Sequence, residues 1–373
     1  MNDGSDVKSI STRETKSSAR VILVVLMVMG VPPIGTRRLC AEPISYPLVS
    51  VGDPGNGVDP GSGPANGKGR VSYEYQIGKY LVTIAQYAEF LNAVARDDLY
   101  ATYNPAMATD LNVAGISRSG TSGAYVYSVL NNSGSSANRP ITYVGWYDAA
   151  RFANWMANGQ PTGPQGPGTT ENGAYALNGA TVGPGVMTNA INPNTGLAPA
   201  FRIPTEDEWH KAAFYSPSLN SGAGGYYTYS TQSFVIPGNA VGSLANQTNW
   251  RKDNRFSTTQ STTYLAGQNY LTDVGAFTNS ASFYGTFDQS GSVTELVDYD
   301  RSTDFRYAMK GAGWANGGPE NMSNWAFGLG PNNADAASPY VGFRLASTVA
   351  VPEPAFAGVG VVVAALAVWR LRR

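Results

Sequence analysis

Regular structure is legible in this chain at only three places, and long stretches rich in Gly, Pro, Asn and Thr separate them. The first place is LVTIAQYAEFLNAV (81–94). Thr83 and Gln86 stand three apart, as the two halves of a capping box do, and Tyr87, Phe90, Leu91 and Val94 follow at i, i+3, i+4, i+7. The second is GWYDAARFANWMANG (145–159), with Gly145 as N-cap, Asp148 at N3, an inner stripe of Ala149, Phe152, Ala153 and Met156, and Gly159 near the end. The third is FRIPTEDEWHKAAFY (201–215). Thr205 and Glu208 make a capping box behind Pro204, three acids occupy the first turn, and Trp209, Ala212 and Ala213 mark the buried stripe. One half-buried strand precedes the first helix, with Val71, Tyr73, Tyr75 and Ile77 alternating against polar residues.

Between these elements, residues 157–200 show no sustained period, and from 216 onward the sequence reads as short strands and long polar loops. Loops of this length count against a compact domain unless they are functional or braced by a metal. At 42% hydrophobic residues, with 22 tyrosines, the chain has enough apolar material for a core. The expected fold is therefore an irregular α+β single domain.

His210, the only histidine, lies about 100° off the apolar stripe of its helix. A zinc-type pair would need a second histidine at i+4, where Phe214 stands, so His210 reads as a bystander. Charged residues are 14% of the chain and the net charge is −1, with no basic stripe, which excludes the footprint of a nucleic-acid binder.

Both ends read as signals. Lys8, Arg13, Lys16 and Arg20 precede an apolar run from Val21 to Gly30 and a small residue, Ala41, which together read as a signal peptide over 1–41. Ten apolar residues fall short of the ~20 that span a bilayer. The one cysteine, Cys40, lies inside this segment, so the mature body is expected to carry no thiol and no disulfide. Residues 42–69, with GDPGNGVDPGSGPANGKG at 52–69, read as a flexible linker. The C-terminus carries Val351-Pro352-Glu353-Pro354, an apolar run to Trp369 and a basic end at Arg370, Arg372 and Arg373. About 15 apolar residues give only about 22 Å of helix against a ~30 Å hydrocarbon core. This tail (351–373) resembles the PEP-CTERM sorting signal of Gram-negative bacteria. The resemblance implies an exported protein at the cell envelope or extracellular surface, with an exosortase and the export machinery as partners.

The body carries a second resemblance. Thr83-Ile84-Ala85-Gln86-Tyr87, PITYVGWYDA (140–149), FRIPTEDEW (201–209), YGTFD (284–288), GSVTEL (291–296), KGAGW (310–314) and Gly342-Phe343-Arg344 follow in one order. Together they resemble the formylglycine-generating enzyme, or sulfatase-modifying factor, family over about residues 70–347. The resemblance implies a C-type-lectin-like core with long loops and bound calcium. A formylglycine generator also binds copper through two cysteines after the KGGSW-like strand, and copper(I) needs soft thiolates. Here Asn316 and Asn321 stand near those positions, and Met322 offers a single thioether, so no copper is expected. Iron-dependent sulfoxide-synthase relatives use several histidines, and this chain has one. No catalytic residue is therefore assigned. Phe343 and Arg344 read as strand packing and an ion pair near the domain end.

What the resemblance carries over is a calcium site. It comprises a side-chain oxygen of Asp288, the carbonyls of Gly291 and Val293, and the carboxylate of Glu295, all hard oxygens of the kind calcium takes. Ser292, Thr294 and Leu296 replace the Asn and tryptophans usual in that motif. A second family site matches Asn246 and Gln247, without an alignable carboxylate partner. The expected function is an exported, non-catalytic, calcium-braced structural or ligand-binding module. An oxidoreductase with an unrecognised metal centre is the first alternative. The second is a carbohydrate- or protein-binding lectin-like module using exposed aromatics such as those of GGYYTYS (224–230).

Overall fold

The structure is a computed structural model that describes residues 43–62, 67–182, 188–298, 308–326, 328–329 and 337–348. The segments read from the sequence as a signal peptide (1–41) and a sorting tail (351–373) lie outside these residues. Among the described residues no helix is long and apolar enough to cross a membrane.

The three capped segments fold as read. Helix α1 (Ile84–Val94) starts at Thr83, whose Oγ1 accepts from the Gln86 amide at 3.3 Å while Gln86 Oε1 accepts from the Thr83 amide at 2.9 Å. A one-turn helix α2 (Ala106–Thr109) follows. Helix α3 (Trp146–Ala157) begins where Asp148 Oδ2 accepts from the Gly145 amide at 2.8 Å, and the chain turns away at Gly159 with φ of 79°. Helix α4 (Glu206–Phe214) is capped by Thr205 and Glu208 in both directions.

Strands are short. β1 (Leu48–Val51) and the distant β11 (Ala346–Ser347) flank β2 (Tyr75–Gly78), both antiparallel to it. A hairpin joins β3 (Ile116–Ser119) to β4 (Val126–Val129), and a minimal one joins β5 (Tyr215–Ser216) to β6 (Gly225–Tyr226). The remaining sheet has the order β10-β7-β8-β9, with β7 (Thr294–Val297), β8 (Ala308–Lys310), β9 (Gly328–Leu329) and β10 (Val341–Phe343). β10 runs parallel to β7 and the other pairs are antiparallel.

Two expectations change. Residues 52–69 are not a free linker where they are described. β1 completes the first sheet, Gly55 donates to the Val71 carbonyl at 2.8 Å, and Asp59 is 2% exposed. The domain thus begins some twenty residues earlier than its composition suggests, because long-range polar contacts outweigh the local Gly and Pro content. The helices are also buried well beyond their apolar stripes. In α3 the polar Arg151 and Asn154 are as buried as Phe152, and in α4 Glu208, His210 and Lys211 are as buried as Trp209. His210 is thus buried although it lies off the apolar stripe of its helix. Loops on every side, held by side-chain hydrogen bonds, cover what would otherwise be solvated faces.

The main core joins α1, α3 and β10 through aromatic rings. Tyr87 stacks on Phe152 at 6.0 Å, and Phe152 meets Phe90 and Phe343 edge-on, each at 5.4 Å. Such pairs add about 0.5–1.5 kcal/mol each beyond area burial. Phe152 sits at the meeting point of both helices and the central sheet, so Phe152→Ala should cost about 3–5 kcal/mol in a denaturant titration. Leu99→Ala, at a side chain 67% exposed, should stay within about 0.5 kcal/mol of wild type.

Candidate functional site

The carried-over calcium loop runs from Phe287 into β7. Asp288 and Ser292 both adopt left-handed backbone, with φ of 67° and 75°. Gly291 is required for a different reason from the turn itself. A Cβ there would lie 2.5 Å from Thr248 Oγ1 and 2.7 Å from the Asn249 carbonyl, so the neighbouring segment packs directly onto its backbone. Val293 is fully buried in an aromatic cluster with Tyr270 and Trp314, and Thr294 donates its amide to the Tyr340 carbonyl at 2.7 Å.

The two carboxylates of the loop are buried and unequal. Glu295, fully buried in β7, accepts from Arg344 Nε at 2.5 Å and Nη2 at 2.7 Å. The same guanidinium donates to the carbonyls of Gly78 at 2.9 Å and Phe287 at 2.8 Å. Arg344 is thus the ion-pair residue expected from the sequence, with a wider reach than a strand-end contact. Asp288 accepts from the Gly275 amide at 2.7 Å. Burial pushes its carboxyl up to about 6, with a further push from Glu295, against the lowering effect of the Gly275 amide and Arg344. Two carboxylates facing one guanidinium leave a buried excess of negative charge, an arrangement that a bound cation relieves. An ionised carboxylate has about four lone-pair sites, so Glu295 can serve both Arg344 and a cation. Both carboxylates are hard oxygen donors of the kind calcium takes.

The second matched pair fits less well. Asn246 Oδ1 accepts from Thr231 Oγ1 at 2.6 Å, and Gln247 Oε1 accepts from the Ala240 amide at 2.9 Å. Both side-chain oxygens are used in tying loops together.

Asn316 and Asn321 do come together. Asn321 Nδ2 donates to Asn316 Oδ1 at 3.3 Å, and the Gly318 amide donates to the same oxygen at 2.8 Å. The thioether of Met322 is fully buried with Tyr229, Trp250 and Ala312. The tyrosines of 224–230 are largely packing: Tyr226 donates to the Gly57 carbonyl, Tyr227 lies against Phe234, and Tyr229 is buried.

A polar cluster that the sequence did not reveal surrounds α4. His210 Nε2 lies 2.9 Å from Asp59 Oδ2, which also accepts from Asn324 Nδ2 at 2.7 Å. Glu206 meets Lys68 at 2.9 Å and Lys310 at 3.6 Å. No local pattern joins residues 59, 210 and 324, so nothing short of the fold could have found them.

The model of the family described as sulfatase-modifying factor enzyme 1-like domain matches residues 50–349. The chain belongs to that family. Among solved structures, this sulfatase-modifying factor enzyme 1-like domain is similar to CarF (18% identity, TM-score 0.45, covering 82% of this chain and 99% of that one). It is also similar to PvdO from Pseudomonas aeruginosa (13% identity, TM-score 0.41, covering 82% of this chain and 93% of that one). A third is Treponema denticola variable protein 1 (14% identity, TM-score 0.39, covering 82% and 95%). No curated protein matches the chain.

His210 makes a pH prediction. Burial holds its pKa below the ordinary value, with Asp59 opposing. The unfolded chain therefore binds a proton near pH 6.5 that the native chain refuses, so the contribution of this group is intact above about pH 6.5 and is lost as pH falls below it. The loss should approach about 1.4 kcal/mol per pH unit until the native pKa is reached. His210→Gln should remove that component from a plot of unfolding free energy against pH between 7 and 5; an unchanged slope would contradict it.

Proposed function

We propose that this chain is an exported, surface-sorted member of the sulfatase-modifying factor family that does not generate formylglycine and serves as a calcium-braced structural or ligand-binding module. The observation that carries the reading is the corner formed by Asn316 and Asn321. The two side chains sit within hydrogen-bond reach where the family resemblance puts a pair of copper-binding thiols. An amide pair offers hard oxygen and weak nitrogen donors, which suit copper(I) poorly. The nearby thioether is spent in the core, and the single cysteine of the chain is Cys40.

Calcium is proposed at Asp288 and Glu295 with the carbonyls of Gly291 and Val293. Its role would be to neutralise the charge left over beside Arg344 and to hold the loop between the two main sheets. Export rests on the two terminal segments, and an exosortase acting at Glu353 and its flanking prolines is the partner the tail suits.

Two measurements test this. The purified protein, loaded with copper and supplied with oxygen and a reductant, should leave a cysteine-containing sulfatase peptide unmodified by mass spectrometry; conversion of the cysteine to formylglycine would refute the non-catalytic reading. Chelation followed by calcium titration should move the melting temperature upward. A ligand bound only by the native state adds about 2.7 kcal/mol at a hundredfold excess over Kd. Asp288→Asn should abolish most of the shift. Identical melting curves with chelator and with millimolar calcium, once metal removal is verified, would sink the calcium assignment.

A further inference from the structure

The loop at 233–247 presents apolar side chains to solvent. From Ala212 to Trp250 the chain has no Asp, Glu, Lys, Arg or His, a run of 39 residues where its 14% charge content would place five or six. Within that run Phe234, Val235, Ile236, Val241 and Leu244 are 45–69% exposed. Single exposed apolar side chains are ordinary on a soluble domain. Five within eleven residues, three of them consecutive, mark a contact surface.

The loop is held in this form by its own polar groups. Ser233 Oγ accepts from the Val235 amide at 2.9 Å and donates to the Val235 carbonyl at 3.0 Å, and that carbonyl also accepts from Asn246 Nδ2 at 3.1 Å. The Gly238 amide donates to the Asn246 carbonyl at 2.8 Å, and the Ala240 amide to Gln247 Oε1 at 2.9 Å. Trp250 Nε1 anchors the base through the Gly238 carbonyl at 3.2 Å, and Tyr227 steadies the Phe234 ring from 5.1 Å. Backbone groups at Val235, Gly238 and Ala240 thus find partners inside the protein. An irregular loop must meet that condition before it can leave bulk water for an apolar medium.

A basic turn adjoins the apolar loop. Lys252 and Arg255 pair across Asp253 and Asn254, which are both left-handed with φ of 49° and 64°. Asn239, in the apolar loop, donates to the carbonyls of Arg255 at 2.8 Å and Trp250 at 3.2 Å, so the two segments are tied side by side. Arg251, Lys252 and Arg255 outnumber Asp253 by two charges. Among the described residues none of the three cations is paired with a carboxylate.

The pairing of apolar tip and unpaired cations decides the partner. A second copy of the chain meeting this patch about a two-fold axis would use the same surface twice and bring the basic turn against itself. An anionic bilayer answers both features. Its acyl boundary lies within the ~5–10 Å that interfacial elements penetrate, and its phosphates attract Lys and Arg.

We propose that the 233–247 loop inserts into the headgroup layer of an anionic lipid bilayer, with Lys252 and Arg255 held on its phosphates. This contact belongs to the folded body and adds to whatever the two terminal segments do.

The full purified chain carrying Cys40→Ser and Val235→Cys would be labelled at 235 with the environment-sensitive fluorophore NBD. It would be mixed with vesicles of equimolar phosphatidylglycerol and phosphatidylcholine, or of phosphatidylcholine alone. On the anionic vesicles the emission should rise, shift to the blue and be quenched by nitroxide-bearing lipid. Half of that response should need roughly fivefold less lipid than with phosphatidylcholine alone, or better. The same label placed by Leu99→Cys, at an exposed leucine outside the loop, should stay unchanged. Lys252→Gln and Arg255→Gln should each raise the lipid required about fivefold. Phe234→Ser with Ile236→Ser should abolish vesicle binding beyond that of the terminal runs, with the melting temperature kept. Those runs are the same in every variant, so attachment through them alone leaves the label at 235 unshifted. Four results would each overturn the proposal: sedimentation with vesicles while that label stays unchanged, equal response to the two vesicle types, full affinity in both glutamine variants, or a dimer that buries the label without lipid.

Discussion

A single guanidinium, that of Arg344, is the point through which the two main sheets and the proposed calcium loop are connected. It leaves the chain between β10 and β11, pairs with Glu295 of β7 in the larger sheet, and donates to Gly78 at the end of β2 in the smaller one. Its remaining bond goes to Phe287, one residue before Asp288. Burying two charges is expensive, and a buried pair is often no more stabilising than a well-packed apolar one. Here the guanidinium also satisfies backbone carbonyls from two separate segments, at Gly78 and Phe287, which an aliphatic side chain could not do. Removing the arginine would leave Glu295 charged and dry, beside an Asp288 that burial already disfavours in its ionised form.

The same economy recurs at α4. Arg202 holds Glu208 with both guanidinium nitrogens, one of them at 2.7 Å, while Glu208 also closes the helix cap on Thr205. Burial opposes the charge on Glu208, but the contacts with Arg202 outweigh it and keep the carboxyl below the usual range. Tyr73 and Tyr75, from the chain leading into and forming β2, donate to the side chain and carbonyl of that same residue. A loop-rich domain without disulfides is thus held by buried polar side chains that each serve several backbone segments.

How much of this could be read in advance depended on range. The capping boxes at Thr83 and Thr205 and the N3 role of Asp148 involve residues three apart, and the sequence specifies them completely. The aromatic stripe of α1 was equally visible, because a 3.6-residue period is local. The burial of His210 is not legible in the sequence, because helical periodicity predicts only which face meets the apolar core. It says nothing of a loop 151 residues away that brings Asp59 against the opposite face. The segment 52–69 failed for a related reason: its Gly and Pro content describes the free chain, whereas Asn56 and Asp59 find partners around α4. For the candidate site, order along the chain was enough to place Asp288 and Glu295 in one loop and Asn316 beside Asn321. It could not show that Gly291 is demanded by the approach of Thr248 and Asn249, nor that the apolar run Phe234-Val235-Ile236 faces solvent.

The arrangement of β1, β2 and β11 has a mechanical corollary. The first and last strands of the domain lie on either side of β2, with Leu48 opposite Gly78 and Ser347 opposite Gln76. Adjacent strands are ~4.8 Å apart, so Leu48 and Ser347 lie on strands about two strand spacings from one another. Tension applied through them falls on the backbone ladders of this one small sheet. Because β1 and β11 both run antiparallel to β2, a pull before Leu48 and after Ser347 draws the two outer strands in opposite directions and loads their ladders in shear, and Tyr46 passes the same load directly into the core cluster that contains Phe152.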